Sequence, residues 1–426
     1  MAVFTTFAPS TAITVLGVAF GMNLLARGVG ETYAIFLLPL GDEFNWSRSE
    51  LTSVYSVLMV AQGFASPLAG SIADRFGPQG SYLFGLVCLG GGYLLAARLD
   101  SLWQFYLCVG VLGGIGAASL GMIPTQVLIS RWFRTRLATA IGVAYAGLGS
   151  GIILIVPLTQ IAIDDLGWRG AYTLLGTVLL SLVLLIAIAP WDKWWRKRRE
   201  APPIPAPPQA TGVDHEPRPG SAGPRVRSLR DALRERIFWG LFGILFFTSC
   251  SIFSLTIQLP AYLVSLGYSA VAAATAFGAL GLLSTAGMVL SGSSVDRIGR
   301  RSTATAAYIF TLAGLALFWS MAFLPAIGIL VFAVAFFGVS MGSRGPIVSE
   351  LAARLYPGGR GGGIYGVLVL GMGFGAGAGS QISGLLFDWT GGYAAVFAFS
   401  MASALLGMAW FWLIPALATG KRQRGA

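Results

Sequence analysis

Twelve apolar stretches, each of 18 residues or more, divide this 426-residue chain. They cover residues 11–38, 50–72, 81–98, 104–130, 137–162, 170–190, 237–263, 270–294, 302–323, 326–352, 361–387 and 392–417. A helix needs about 20 apolar residues to cross a hydrocarbon layer roughly 30 Å thick. Since backbone polar groups in lipid must be satisfied within the chain, the sequence predicts an all-α polytopic membrane protein with twelve transmembrane helices, here numbered spans 1 to 12.

The composition agrees with a membrane protein and disfavours an enzyme. Hydrophobic residues make up 55% of the chain and charged residues 11%, too few charges for a soluble surface. The three cysteines lie in apolar stretches, and the one histidine, His215, lies in a proline-rich segment. We therefore expect no metal, no cofactor and no Ser-His-Asp triad. No Gly-Lys-Ser/Thr loop for ATP is present either.

A repeat shows that one unit occurs twice. Gly-Ser-Ile-Ala-Asp-Arg-Phe-Gly at 70–77 returns as Gly-Ser-Ser-Val-Asp-Arg-Ile-Gly at 292–299, a shift of 222 positions. Two further matches, 131–133 with 354–356 and 164–167 with 388–391, have shifts of 223 and 224. A constant offset of half the chain predicts two six-helix repeats with a functional site between them.

The domain boundaries follow from where the composition changes. We expect a six-helix bundle at 1–190, a linker at 191–236, a second bundle at 237–418 and a tail at 419–426. The linker is rich in charge and proline, which predicts disorder over most of its length. Its end, 228–237, spaces apolar residues along one helical face, so we expect a short interfacial helix there.

The net charge of +11 reflects topology rather than nucleic-acid binding. Of the 28 Lys and Arg residues, 23 fall in even-numbered loops, the linker and the tail, whereas the odd-numbered loops hold only Arg48, Arg98 and Arg169. Cytoplasmic loops are enriched in these residues, so the pattern places both termini in the cytoplasm. The first ten residues carry no positive charge, so we expect the first stretch to be retained. The expected location is the inner (plasma) membrane.

The duplicated motif resembles that of the major facilitator superfamily of secondary transporters, and the resemblance extends over the whole chain. That family carries a Gly-x-x-x-Asp-Arg-x-Gly loop between spans 2 and 3 and a weaker copy between spans 8 and 9. The resemblance implies a gating role for Gly70, Asp74, Arg75 and Gly77 in the first copy, and for Asp296 and Arg297 in the second.

Finer detail resembles the monocarboxylate and oxalate/formate carrier branch. The carrying segments are Phe36–Pro39, Glu43–Ser49, Arg131–Phe133 and Gly167–Arg169. One difference from that branch bears on which substrate the protein would carry. Monocarboxylate carriers usually hold an Asp and an Arg in span 8, but residues 282–290 here carry no charge.

Charged residues inside the spans mark the candidate site, since each costs roughly 2.5–3.5 kcal/mol at the bilayer centre. Asn23, Arg27 and Glu31 recur at intervals of four in span 1 and so share one helical face. One interpretation is that Arg27 and Glu31 simply neutralise each other. The other is that Arg27 attracts an anion while Glu31 takes up a proton.

Arg344 in span 10 breaks the repeat, because Gly121 stands in its place in the first half. Its guanidinium suits a carboxylate; alternatively it pairs with Glu350 or reaches the headgroups. Other polar positions could orient a substrate or join helices by hydrogen bonds: Tyr33, Gln62, Gln126, Tyr145, Gln258 and Tyr365.

Together these observations predict a monomeric transporter of a small organic anion, a monocarboxylate, moved with a proton by alternating access. Arg27 and Arg344 would bind the anion and Glu31 would carry or gate the proton. The alternatives are an anion exchanger, an exporter of amphipathic compounds, or a membrane sensor that does not transport.

Overall fold

The computed structural model describes residues 9–133, 137–189, 191, 229–355 and 361–413, nearly all of them helical. The helices in chain order are α1 (Pro9–Glu31), α2 (Tyr33–Phe44), α3 (Arg48–Ala96), α4 (Leu102–Phe105), a π-helical segment (Tyr106–Leu112), α5 (Gly113–Leu120), α6 (Met122–Trp132), α7 (Leu137–Ile188), α8 (Leu229–Ala232), α9 (Arg236–Thr256), α10 (Leu259–Ser265), α11 (Ala270–Ile298), α12 (Arg300–Ser320), α13 (Ile327–Leu355), α14 (Gly361–Thr390) and α15 (Ala394–Leu413).

These helices form the twelve predicted crossings. The 49 residues of α3 and the 52 of α7 would each exceed about 70 Å at 1.5 Å per residue, more than twice the hydrocarbon layer. Gly77 and Gly167 interrupt them with non-helical backbone, so each supplies two spans. Span 1 combines α1 with α2, span 4 runs from α4 to α6, and span 7 combines α9 with α10.

The duplication is visible in the backbone as well as in the sequence. Positive φ angles recur at matching turns: Asn45 (55°) with Gly267 (91°), Gly77 (80°) with Gly299 (84°), and Gly167 (71°) with Gly391 (66°). A side chain is strained in this region, which explains the glycines. The predicted two six-helix repeats are confirmed.

Close helix contacts follow the same symmetry. A methyl group added at Gly151 in span 5 would overlap the carbonyl oxygen of Leu24 in span 1. Its counterpart Gly375 in span 11 approaches Phe246 of span 7 in the same way. Small residues allow such backbone approach where no hydrophobic effect drives helices together.

The first span of each half is interrupted in its second half, at residues whose φ and ψ remain helical. Span 1 changes helix at Thr32, and span 7 changes helix at Ile257–Gln258. The sequence shows one unbroken apolar stretch at each place. These breaks put Glu31 and Thr256 at the ends of α1 and α9.

The two halves contact each other along spans 2 and 11 and along spans 5 and 8. We call the end of the bundle where span 6 ends and span 7 begins the linker end, and the opposite end the far end. At the far end, the Asp388 carboxylate of span 11 accepts hydrogen bonds from the backbone N–H groups of Arg48 (3.0 Å) and Ser49 (2.8 Å) at the start of span 2. Towards the middle, Ser380 Oγ donates to Thr52 O at 3.1 Å and Ser56 Oγ to Gly377 O at 2.8 Å.

The structure adds local detail at two predicted segments. The motif at 70–77 is helical up to Gly77, so it forms the end of span 2. The expected interfacial helix comprises the single turn α8, with Ala232 fully buried. The remainder of the expected linker, residues 192–228, and the tail lie outside the described residues.

Candidate functional site

An ion pair lies at the end of α1, where span 1 is broken. Arg27 Nη2 is 2.7 Å from Glu31 Oε1. The two residues are one helical turn apart, so the helix itself aligns them. The Glu31 side chain is 2% exposed and that of Arg27 27% exposed. The carboxylate is therefore enclosed, while the guanidinium remains partly accessible.

Tyr55 in span 2 completes the coordination of Glu31. Its hydroxyl donates to Glu31 Oε2 at 2.8 Å, and Tyr55 is fully buried. Glu31 Oε1 contacts Arg27 at ion-pair distance but accepts no aligned hydrogen bond within the described residues. One carboxylate oxygen is thus held by a neutral donor and the other by a cation.

Phe253 of span 7 brings the second half to this pair. The Arg27 guanidinium lies 5.8 Å from the centre of its ring, within reach of a cation–π interaction. The Tyr55 and Phe253 ring centres are 6.2 Å apart. We call Arg27, Glu31, Tyr55 and Phe253 the span 1 site. It lies between the two halves.

Asn23 and Tyr33 flank this site but make structural hydrogen bonds. Both are buried. Asn23 Nδ2 donates to Ala19 O and to Thr125 Oγ1, each at 2.9 Å, which ties span 1 to span 4. The Tyr33 hydroxyl donates to Leu51 O at 2.9 Å, and its ring stacks 6.3 Å from that of Tyr55.

Arg344 is placed within the second half, against span 9. It is 4% exposed; its Nη2 donates to Ala307 O at 3.0 Å and to Thr311 Oγ1. Its guanidinium carbon is 4.3 Å from the Tyr308 ring centre. Nε and Nη1 have no hydrogen-bond partner within the described part of the chain. The structure therefore does not bring Arg344 into the span 1 site.

The remaining predicted polar positions are scattered. Gln126 is exposed on α6, and the Tyr145 hydroxyl donates to Met122 O at 3.4 Å one turn earlier on that helix. Gln258 is fully buried at the break in span 7, and neither atom of its amide has a partner among the described residues. The side chain of Tyr365 lies outside the described residues.

The duplicated motif, for which gating is predicted, forms a tight turn at the linker end. Gly77 and Gly299 both have positive φ, and Gly70 lies close to Ile123 of span 4. Arg75 and Arg297 are exposed, and the Arg75 guanidinium is 5.3 Å from the Phe76 ring centre. The side chains of Asp74 and Asp296 lie outside the described residues.

Sequence reasoning missed Tyr55 and Phe253, because a tyrosine and a phenylalanine in apolar stretches carry no distinguishing signal. It also missed the charge cluster at the far end of the first half. There, Arg169 donates to Glu43 and to Asp100, both at 2.6 Å, and Trp168 Nε1 donates to Glu43. The carrier-like segments around Glu43 and Arg169 are therefore joined, and the cluster ties the end of span 1 to Asp100 between spans 3 and 4 and to the start of span 6.

This chain is similar to known transporters over most of its length. A family model described as Major Facilitator Superfamily matches residues 16–367 and 287–426. Monocarboxylate transporter 13 of Bos taurus is 27% identical over 393 residues, covering 91% of this chain and 86% of the relative. Monocarboxylate transporter 11 of Homo sapiens is 26% identical over 409 residues, covering 92% and 80%. These relatives agree with the branch resemblance seen in the sequence.

Solved structures show a similar fold. The crystal structure of a D-xylose-proton symporter superposes with a TM-score of 0.70 at 15% identity, covering 97% of this chain and all of that one. A bacterial homologue of the human lysosomal transporter Spinster, in an inward-facing and occupied conformation, gives a TM-score of 0.68 at 14% identity, covering 95% and 96%.

Proposed function

Because this multi-pass membrane protein belongs to the Major Facilitator Superfamily, it is a transporter rather than an enzyme, and we propose that it moves a small organic anion, a monocarboxylate, together with a proton. Arg27 binds the anion and Glu31 carries the proton. The observation that carries this proposal is the pairing of a buried Glu31 carboxylate with a partly exposed Arg27 guanidinium.

Competition for one guanidinium would couple the two species. While Glu31 is charged, Arg27 neutralises it. An entering carboxylate that takes over Arg27 leaves a second negative charge beside Glu31, which favours protonation of Glu31. Anion binding and proton binding then reinforce each other, as symport requires.

The relatives support the substrate class. Two relatives matched over 86% and 80% of their length are named monocarboxylate transporters, whereas span 8 here lacks charge at 282–290. We propose that the span 1 site supplies, within one helix, the carboxylate and the guanidinium that span 8 lacks. Arg344 is proposed as a second anion ligand, reached after rearrangement, because two of its nitrogens lack partners among the described residues.

The arrangement of the halves supports alternating access. Asp388 joins them at the far end, and the Gly70 and Gly292 motifs lie at the linker end, where gating is proposed. We propose that the linker end faces the cytoplasm, as the distribution of Lys and Arg indicates, and that the protein works as a monomer in the plasma membrane.

Uptake into proteoliposomes tests the function. The purified protein is reconstituted and supplied with radiolabelled lactate, pyruvate or benzoate under an inward proton gradient. We expect accumulation that collapses when a protonophore is added, and no such accumulation by Glu31→Gln. Uptake that needs only preloaded anion would show exchange instead. Stabilisation by a carboxylate without any flux would show a sensor.

A further inference from the structure

Tyr55 links the acid of span 1 to the opposite half of the protein. We infer that Tyr55 is a positioning residue for the proton step: its hydroxyl sets the pH at which Glu31 takes up a proton, and its ring transmits that change to Phe253. This inference rests on the proposed function, since it concerns the same site.

The Tyr55 hydroxyl is an uncharged group that donates a hydrogen bond to the Glu31 carboxylate. Tyr55 is fully buried, so the 2.8 Å bond to Oε2 forms away from bulk water, where a hydrogen bond to a charged group is strong. Such a bond favours the ionised carboxylate. A protonated, neutral Glu31 is a weaker acceptor than the carboxylate, so proton uptake weakens the bond from Tyr55.

Three titratable groups face Glu31 within the described part of the chain. Arg27 is on its own helix, Tyr55 is on span 2, and Tyr93 of span 3 lies close enough to interact electrostatically. The Tyr93 hydroxyl donates to Val29 O at 2.9 Å, so it is committed to the backbone. Tyr55 is thus the neutral group whose proton is shared directly with Glu31.

The ring of Tyr55 reaches the second half. Its centre lies 6.2 Å from that of Phe253, which is itself 8% exposed and lies 5.8 Å from the guanidinium of Arg27. Arg27 and Tyr55, which both bind Glu31, therefore both lie beside Phe253 of span 7. A change in the charge of Glu31 alters the packing of Phe253 and so reaches the interface that must open during transport.

Tyr33 provides a matched control. It is also a buried tyrosine, and its ring stacks on that of Tyr55. Its hydroxyl, however, donates to Leu51 O rather than to Glu31. Tyr33→Phe and Tyr55→Phe each remove one buried hydroxyl from the same cluster, so they cost similar packing, but only Tyr55→Phe removes a donor from the carboxylate.

The test is the pH dependence of transport with equal pH on both sides of the membrane. Losing a hydrogen bond to a charged group shifts the half-maximal pH upward by about one unit or more. We expect this shift for Tyr55→Phe and an unchanged profile for Tyr33→Phe. Equal profiles for wild type and Tyr55→Phe would overturn the inference, as would an equal shift in both variants.

A second measurement separates this inference from the proposed function. The carboxyl band of protonated Glu31 is followed by infrared spectroscopy during a pH titration, and it is assigned by its absence in Glu31→Gln. A higher titration midpoint in Tyr55→Phe than in Tyr33→Phe supports the positioning role even if no carboxylate is transported. Identical midpoints in protein that does transport reject the role of Tyr55 and leave the proposed function standing.

Discussion

The two halves of the protein repeat one backbone but bury their charges in different ways. In the first half, Arg27 and Glu31 lie one turn apart and neutralise each other at the break in span 1. In the second half, Thr256 ends α9 where Glu31 ends α1, and Arg344 is buried with no acidic partner among the described side chains, held by a carbonyl and a hydroxyl of span 9; the side chain of Glu350 lies outside them. The shared backbone is the scaffold, and the unmatched charges mark where the chemistry differs.

A second contrast lies in spans 4 and 10. Gly121 interrupts the helix of span 4 between α5 and α6, whereas α13 continues through Arg344. The two positions are equivalent in the repeat. A glycine tolerates the non-helical ψ of −141° found at Gly121, and an arginine in a regular helix keeps its backbone bonded while its side chain is buried.

The largest effect is expected from Arg27→Gln. Removing a charged ligand costs about 2–5 kcal/mol of binding, or roughly 30-fold or more in affinity, so carboxylate uptake should fall to background. Arg27→Lys keeps the charge but not the two-pronged geometry and should retain part of the activity. Size-exclusion profiles in detergent check that both variants fold. Wild-type uptake by Arg27→Gln would assign the pair to structure alone.

Arg344→Met should separate function from stability. A buried charge is costly to desolvate, and among the described residues Arg344 has no acid to offset that cost, so an apolar replacement should stabilise the protein. We expect Arg344→Met to melt at a higher temperature than the wild type and to take up substrate more slowly. This combination is expected of a residue that is kept for function although it lowers stability. A higher melting temperature with unchanged uptake would remove Arg344 from the proposed site. A lower melting temperature would show that its bonds to span 9 are structural.

The glycine contacts test whether the halves are equivalent in packing. Gly151→Ala and Gly375→Ala each place a methyl group against a backbone carbonyl of the first helix of its half. Overpacking costs about 1–3 kcal/mol, so both should lower the melting temperature by similar amounts. Gly21→Ala is the control, because nothing lies within 4 Å of a methyl group there. A lower melting temperature in only one of the two variants would mean that the two bundles are packed differently.

The scaffold was predictable from the sequence because its signals are local or periodic. Apolar length gave the twelve spans, and the repeat located the positive-φ glycines Gly77 and Gly299. The helix interruption at Thr32 was not predictable, since hydropathy there is continuous, whereas Pro260 at the start of α10 lacks a backbone donor and could have marked the interruption at Ile257. Tyr55 and Phe253 depend on how spans 2 and 7 meet, which a single sequence does not encode in any pattern.

Asp388 and Asp164 occupy equivalent positions yet bond differently, and this gives the smallest expected effect. Asp388 joins the halves at the start of span 2, while Asp164 accepts from Gln160 in its own helix at 2.9 Å. Asn has one acceptor oxygen and no charge, so Asp388→Asn should weaken the far-end contact by about 1 kcal/mol, a few-fold change in population.

Spin labels at exposed Trp103 and Trp389, placed as cysteines in a chain whose three native cysteines are replaced by serine, report the distance between the halves at the far end. We expect Asp388→Asn to add longer distances and Asp164→Asn to leave the distribution unchanged. Equal responses would mean that the contact between spans 5 and 8 controls the opening of the far end as much as the contact between spans 2 and 11 does. The bonding difference between the two aspartates would then have no bearing on which end of the transporter is open.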